Sequence, residues 1–315
     1  MTGGNGDCQI GVVGAGMIGR AWAMVFAQAG FKVQLHNPRA AKLASALQEI
    51  EVLLGDLASN GLLRESPDAV LTRIHLAETL EEACVGSVLV QENIPETVEA
   101  KRAIYELMDA MAPADAVLAS STSWLPASQF TEGLRGRARC LVAHPANPPY
   151  LIPLVEVCPA PWTSSEAVQR ALSLYKDAGQ EPVLVRKEIS GFLLNRVQGA
   201  VLNEMLNLYE HNYASTGDLD KVMKFGLGLR WSFMGPFETI DLNAPNGVLD
   251  YAERYGPSYA TLAKSQEANA WNSEVVQSID AERRQALEVS ELPARGRWRD
   301  NRLMTLRRHQ TEQPE

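Results

Sequence analysis

His144 is one of five histidines in the 315-residue chain, and its surroundings set it apart. It follows the apolar run Cys140-Leu-Val-Ala and opens a stretch stiffened by Pro145, Pro148, Pro149 and Pro153. The chain then re-enters an apolar segment that holds a lone carboxylate, Glu156. An ordinary imidazole titrates at about pH 6.5, so it can take or give a proton near neutrality. A His at a strand end, with a Glu on the returning strand, is the pattern of a general base and the carboxylate that orients it.

A second constellation lies near the start. Gly14-Ala-Gly16-Met17-Ile18-Gly19 follows the β-branched run Gln9–Val13 and opens a stretch of helical composition. Gly14 allows a tight turn, Gly16 lets backbone approach a pyrophosphate, and Gly19 lets helix and strand pack closely. The helix N-terminus then faces the anion. The next strand ends in His36-Asn37-Pro38-Arg39, where an NAD-binding fold usually places an Asp or Glu for the ribose hydroxyls. No acidic residue occurs between Asp7 and Glu49, whereas Lys32, Arg39 and Lys42 are cationic. Asn37 with Arg39 can accept a 2′-phosphate, which an Asp would repel. Alternatively, Asn37 bonds the ribose of NAD and Arg39 is only a surface charge. The expected cofactor is therefore NAD(H) or NADP(H).

The elements that must position these residues follow from the pattern. Strands are expected over residues 9–13, 31–35, 87–91, 115–119, 139–143, 154–157 and 182–185. Helices are expected over 17–29, 40–60, 97–111 and 165–178. Alternation of this kind implies an α/β fold, a Rossmann-type doubly wound, mainly parallel sheet. In such sheets ligands bind beyond the carboxyl ends of the strands, so the glycine loop, Glu92, Ser123 and His144 converge on one crevice. The strand signals stop near Lys187. A long apolar helix is expected from Gly191 to Tyr213, with further helical segments broken at Gly226-Leu-Gly228 and Gly235-Pro236. The division expected is a dinucleotide-binding domain over 1–188 and an all-α domain over 189–315, whose apolar helices suggest burial against a second subunit.

Composition narrows the function. The net charge of −9 argues against nucleic-acid binding. An arginine run at the end (Arg295, Arg297, Arg299, Arg302, Arg307, Arg308) reads as a solvated helix face or a subunit contact. The four cysteines are scattered, with no C-x-x-C, so buried free thiols in a reducing cytosol are expected and no metal site. The N-terminus lacks a signal-peptide pattern, and no stretch approaches the ~20 apolar residues of a membrane span. The last few residues read as disordered.

Taken together, the short patterns resemble those of the 3-hydroxyacyl-CoA dehydrogenase superfamily. They are Gly-Ala-Gly-Met-Ile-Gly at 14–19, Gln-Glu-Asn at 91–93, Ser-Ser-Thr-Ser at 120–123, His-Pro-Ala-Asn-Pro-Pro at 144–149, Gly-Phe-Leu-Leu-Asn-Arg at 191–196 and Met-Gly-Pro-Phe-Glu at 234–238. Gly-Leu-Gly-Leu-Arg-Trp at 226–231 and Arg-Trp-Arg-Asp at 297–300 are most similar to the lambda-crystallin, or L-gulonate 3-dehydrogenase, branch, and L-carnitine dehydrogenases are similar and share the Arg-Trp feature. The resemblance implies that His144 takes the hydroxyl proton while hydride leaves the same carbon, with Glu156 holding the imidazole. It implies that Ser123 and Asn195 contact the substrate oxygen, and that Asn147 and Glu92 lie near the nicotinamide end of the cofactor. It also implies a homodimer formed through the C-terminal domain.

Substrate identity rests elsewhere. Arg230 can clamp the carboxylate of a free hydroxy acid by two parallel hydrogen bonds; the alternative is a structural salt bridge. The leading expectation is oxidation of a small, L-gulonate-like 3-hydroxy acid. A short-chain 3-hydroxyacyl-CoA dehydrogenase and an L-carnitine dehydrogenase are the alternatives within that chemistry. A crystallin-like or nucleotide-binding protein without catalysis is the alternative outside it.

Overall fold

The computed structural model describes residues 5–269 and 271–313. The expectation of a disordered end falls mainly on residues outside that range, and helix continues through Glu312. The chain divides into two compact units. One runs through Asn195 and also takes the chain from Asp300 on; the other spans Arg196–Arg299. The first unit thus keeps Asn195, which the sequence reading grouped with the helical domain, and recovers the tail.

The first unit is built on one eight-stranded sheet in the order β3-β2-β1-β4-β5-β6-β7-β8. The strands are β1 (Gln9–Val13), β2 (Lys32–His36), β3 (Ile74–Ala77), β4 (Ser87–Glu92), β5 (Val117–Ser120), β6 (Cys140–Pro145), β7 (Leu154–Pro159) and β8 (Glu181–Leu184). All neighbours pair in parallel except β6 and β7. Four short elements had no clear sequence signal: β3 and the helix Ser128–Thr131 have only four residues each, and the helices Pro67–Leu71 and Leu80–Cys84 only five. None is long enough to show a period.

Helices cover both faces of the sheet. They are α1 (Met17–Gln28), α2 (Ala40–Ser59), α3 (Pro67–Leu71), α4 (Leu80–Cys84), α5 (Val98–Met111), α6 (Ser128–Thr131) and α7 (Ser165–Asp177). The starts of α5 and α7 are capped by Thr97 and Ser164, whose hydroxyls accept the Ala100 and Ala167 N–H groups. One core holds Trp22, Phe26, Phe31 and Tyr175, with Trp22 5.3 Å from both Phe26 and Tyr175 by ring centroid. The other holds Tyr105, Met108, Phe130 and Cys140. Burial pushes the thiol of Cys84 up to about 11 and those of Cys140 and Cys158 up to about 12. All four cysteines are free, and Cys8 is half-buried.

The remaining helices are α8 (Leu194–Glu210), α9 (Thr216–Lys221), a π-helical turn (Val222–Leu227), α10 (Gly228–Trp231), α11 (Pro236–Leu242), α12 (Gly247–Leu262), α13 (Ser273–Ala286) and α14 (Leu292–Glu312). Two expectations are corrected here. The α8 helix starts at Leu194 rather than Gly191, because Gly191 and Phe192 take left-handed backbone, φ +75° and +48°. Gly226-Leu-Gly228 is no break; the π-helical turn runs directly into α10. Within the second unit the buried apolar side chains, among the described residues, are Leu206, Leu219 and Ala244. Phe237, Leu249 and Tyr213 are 82%, 85% and 76% exposed. No helix of the described chain is long and apolar enough to cross a membrane.

Candidate active site

The glycine loop leaves β1 at the point where the strand order reverses between β1 and β4. Gly14 has φ +100°, and a Cβ there would stand 2.6 Å from the Asn93 carbonyl oxygen. A Cβ on Gly19 would come within 1.7 Å of the Gly14 carbonyl oxygen. These two positions exclude a side chain for the fold's own sake. Gly16 differs: nothing lies within 4 Å of its would-be Cβ. No side chain caps α1, which begins with Met17 and Ile18. Open space over Gly16 and uncapped N–H groups fit a pyrophosphate. Met17 is 63% exposed at this edge.

At the end of β2, His36 is buried, with Nδ1 3.0 Å from the Ala77 carbonyl. Asn37 uses its side-chain oxygen to accept the Arg39 N–H at 3.0 Å. What Asn37 has left is its NH2, a donor. Arg39 is exposed and forms no ion pair among the described residues.

His144 and Glu156 are directly opposed across the antiparallel β6–β7 pair. Opposed residues point to the same face of a sheet, which brings the two side chains together. His144 Nδ1 lies 2.8 Å from Glu156 Oε2, and the residues are 6% and 1% exposed. Glu156 Oε1 accepts the N–H groups of Leu193 and Leu194, at 2.7 and 2.9 Å, where α8 starts. Burial pushes the Glu156 carboxyl upward, but the His144 bond and the Leu194 and Leu193 N–H groups outweigh it, so it titrates below the usual carboxylate range. An ionised carboxylate can only accept. The proton between the two groups therefore sits on Nδ1, which makes Nε2 the lone-pair atom of the neutral imidazole. The Phe192 ring packs 5.6 Å from the imidazole by centroid.

Ser123 lies in the loop after β5. Its N–H donates to Glu96 Oε1 at 2.8 Å, and its carbonyl accepts Asn195 Nδ2 at 3.0 Å. Ser123 Oγ and Asn195 Oδ1 have no hydrogen-bond partner among the described residues. Asn147, in the proline-rich loop, places Nδ2 3.6 Å from Met17 Sδ, so this loop touches the glycine loop. Gly14, Gly16, Gly19, Asn147, Ser123, His144, Glu156 and Asn195 all belong to the first unit; Arg230 belongs to the second.

Glu92 is a correction. It was expected to reach the cofactor, but it is 0% exposed. Its oxygens take Lys101 Nζ at 2.9 and 2.8 Å, Ser120 Oγ at 2.6 Å and the Ile94 N–H at 2.7 Å. Breaking one side of such a buried pair costs about 3–5 kcal/mol. Glu92 therefore braces the β4 and β5 ends.

Sequence reasoning missed three supporting residues. Glu96 Oε1 gathers the Thr122 hydroxyl and the Ser123 and Trp124 N–H groups, holding the serine loop. Lys101 could have been found, because Lys101, Tyr105 and Met108 fall at i, i+4 and i+7 on the buried face of α5. A charge on that face requires a partner. Ser121 joins Gln91, Trp22 and Asn93 in one network, and Tyr175 donates to Gln91. Asn93 in turn underlies Gly14, so the serine loop and the glycine loop share a foundation.

Comparison with known proteins places the chain in a family. Residues 9–189 match the NAD binding domain of 3-hydroxyacyl-CoA dehydrogenase, and residues 191–285 match its C-terminal domain. The lambda-crystallin homolog of Mus musculus is 41% identical over 301 residues, covering 94% of each chain. The L-carnitine dehydrogenase of Pseudomonas aeruginosa is 34% identical over 300 residues, covering 93% of this chain and 91% of its own. Among solved structures, 5-formyl-3-hydroxy-2-methylpyridine 4-carboxylic acid 5-dehydrogenase superposes with a TM-score of 0.82 at 24% identity, covering 95% of this chain and 97% of that one.

Proposed function

The chain belongs to the 3-hydroxyacyl-CoA dehydrogenase family of NAD-binding oxidoreductases, and on that premise we propose that it oxidises a small, free, L-gulonate-like 3-hydroxy acid to the 3-keto acid. The observation that carries the reading is the buried Nδ1–H···Glu156 bond, which leaves His144 Nε2 as a base. A bound NAD(P)+ would supply the hydride acceptor for the carbinol carbon. His144 Nε2 takes the hydroxyl proton as that hydride departs. Glu156 stabilises the imidazolium, because its carboxylate stays ionised. Ser123 Oγ and Asn195 orient the substrate oxygen, which becomes the keto oxygen.

The free acid is favoured over a CoA thioester by Arg230. It is exposed and makes no ion pair among the described residues, contrary to what a structural salt bridge within the chain requires. A guanidinium of this kind suits a carboxylate. For the cofactor, the spent oxygen and remaining NH2 of Asn37, with Arg39 beside it, suit NADP(H) as well as NAD(H). The contact of Asn147 with Met17 of the glycine loop supports a place for it on the cofactor side. The sparse burial in Arg196–Arg299 supports a homodimer through that unit. A cytoplasmic enzyme is consistent with its free thiols.

The test is a substrate panel of L-gulonate, 3-hydroxybutyrate, L-carnitine and 3-hydroxybutyryl-CoA with NAD+ and NADP+, followed by absorbance. The reading expects the free acids to be turned over best. Preference for the CoA thioester, or no turnover of any compound, would refute it.

A further inference from the structure

Trp124 follows Ser123 in the serine loop and has no part in the proton transfer. Its side chain is 57% exposed, although it is one of the largest apolar groups in the chain. The residue is nevertheless well held. Its N–H donates to Glu96 Oε1 at 2.7 Å. Its ring lies on Gly191, where an added Cβ would meet Trp124 Cζ3 at 3.0 Å and the Asn195 Cβ at 3.6 Å. Gly191 has φ +75°, so both its backbone and the ring above it disfavour a side chain there. Ser123, Trp124, Gly191 and Asn195 thus form one contiguous patch, and the indole is its exposed part. Trp124 Nε1 has no hydrogen-bond partner among the described residues.

An aromatic held in place beside the oxygen-binding serine, with an open face and a spare N–H, offers two kinds of contact. The face takes C–H groups, and the N–H takes an acceptor. We propose that Trp124 is the platform for the substrate chain beyond the reacting carbon, and that it selects a polyhydroxylated chain. Carbon-bound hydrogens of the chain lie on the ring, and one hydroxyl accepts from Nε1. A trimethylammonium group would use the face but has no acceptor for the N–H. A plain alkyl chain would leave the N–H equally unused. This assignment rests on the reading of the chain as a 3-hydroxy acid dehydrogenase.

The experiment measures kcat/KM for L-gulonate and for 3-hydroxybutyrate at saturating cofactor in the wild type, Trp124→Phe and Trp124→Ala. The readout is the gulonate-to-hydroxybutyrate ratio. It should fall about threefold in Trp124→Phe, which keeps a ring and loses the donor, and about tenfold or more in Trp124→Ala. Trp124→Phe keeps the bulk on Gly191, so it reports even if the alanine variant folds poorly. A ratio within a factor of about 1.5 of wild type in both variants overturns the platform. A fall in Trp124→Ala alone overturns the polyhydroxyl assignment, since the ring face then suffices. A wild type that turns over neither acid removes the parent reading and this one with it; turnover of both with an unchanged ratio removes only this one.

Discussion

Replacing Glu156 by Gln probes the base most directly. The glutamate makes three bonds, one to His144 Nδ1 and two to the Leu193 and Leu194 N–H groups. Gln has the same shape but only one acceptor atom. Its oxygen must stay on the two backbone N–H groups, because the reversed amide would set NH2 against both donors. The NH2 then faces His144 Nδ1, which has to become an acceptor. The proton moves to Nε2, and the base is lost in the neutral form. Loss of a positioned general base costs about 10²–10⁴-fold in rate, or roughly 3–5 kcal/mol. The assay is kcat at saturating substrate and cofactor near pH 8, with NADH binding and thermal unfolding measured alongside. Cofactor binding and stability should stay near wild type, because the α8 start keeps both of its bonds. Glu156→Ala should differ: it leaves three buried donors unpaired, at about 1–3 kcal/mol each, and should unfold earlier. A Glu156→Gln kcat within about threefold of wild type would refute the tautomer argument. The same carboxylate makes a pH prediction. Its folded pKa is depressed, so its contribution to stability is present above the ordinary Glu value of about 4.3 and is lost as pH falls through the folded value. Below about pH 4.3, wild type should therefore lose stability more steeply than Glu156→Gln.

Other perturbations separate the remaining roles. Gly16→Ala should fold normally, since its Cβ meets nothing within 4 Å, yet lower cofactor affinity at least tenfold, about the cost of displacing one anion contact. Gly19→Ala should instead fail on stability, its Cβ being 1.7 Å from a carbonyl oxygen; equal behaviour of the two variants in cofactor titration and thermal unfolding would contradict this. Asn37→Asp should lower the NADP-to-NAD ratio of kcat/KM at least about tenfold by placing a carboxylate against the 2′-phosphate. An unchanged ratio would show that Asn37 does not read the ribose. Phe237→Asp with Leu249→Asp should shift the mass measured by light scattering from dimer to monomer; a wild type that is already monomeric would remove the dimer proposal.

The glycine loop and the His144–Glu156 pair were legible in the chain because both rest on local rules. A strand, three glycines and a helix are contiguous, and a proline-stiffened return brings a strand back beside its predecessor. The burial of Glu92 was not legible at its strand end, because it depends on Lys101 and Ser120, which α5 and β5 bring onto its carboxylate from 9 and 28 residues away. The start of α8 could not be read either, since left-handed backbone at Phe192 is unusual for a non-glycine residue. Sequence alone thus determined which residues could do the chemistry and the order in which the strands present them. Tertiary structure decided which of them are free to do it. Glu156 is held by N–H groups 37 and 38 residues away, and Glu96 reaches 27 and 28 residues to hold Ser123 and Trp124. Such bonds depend on where separate elements meet, and no period or spacing along the chain encodes that meeting.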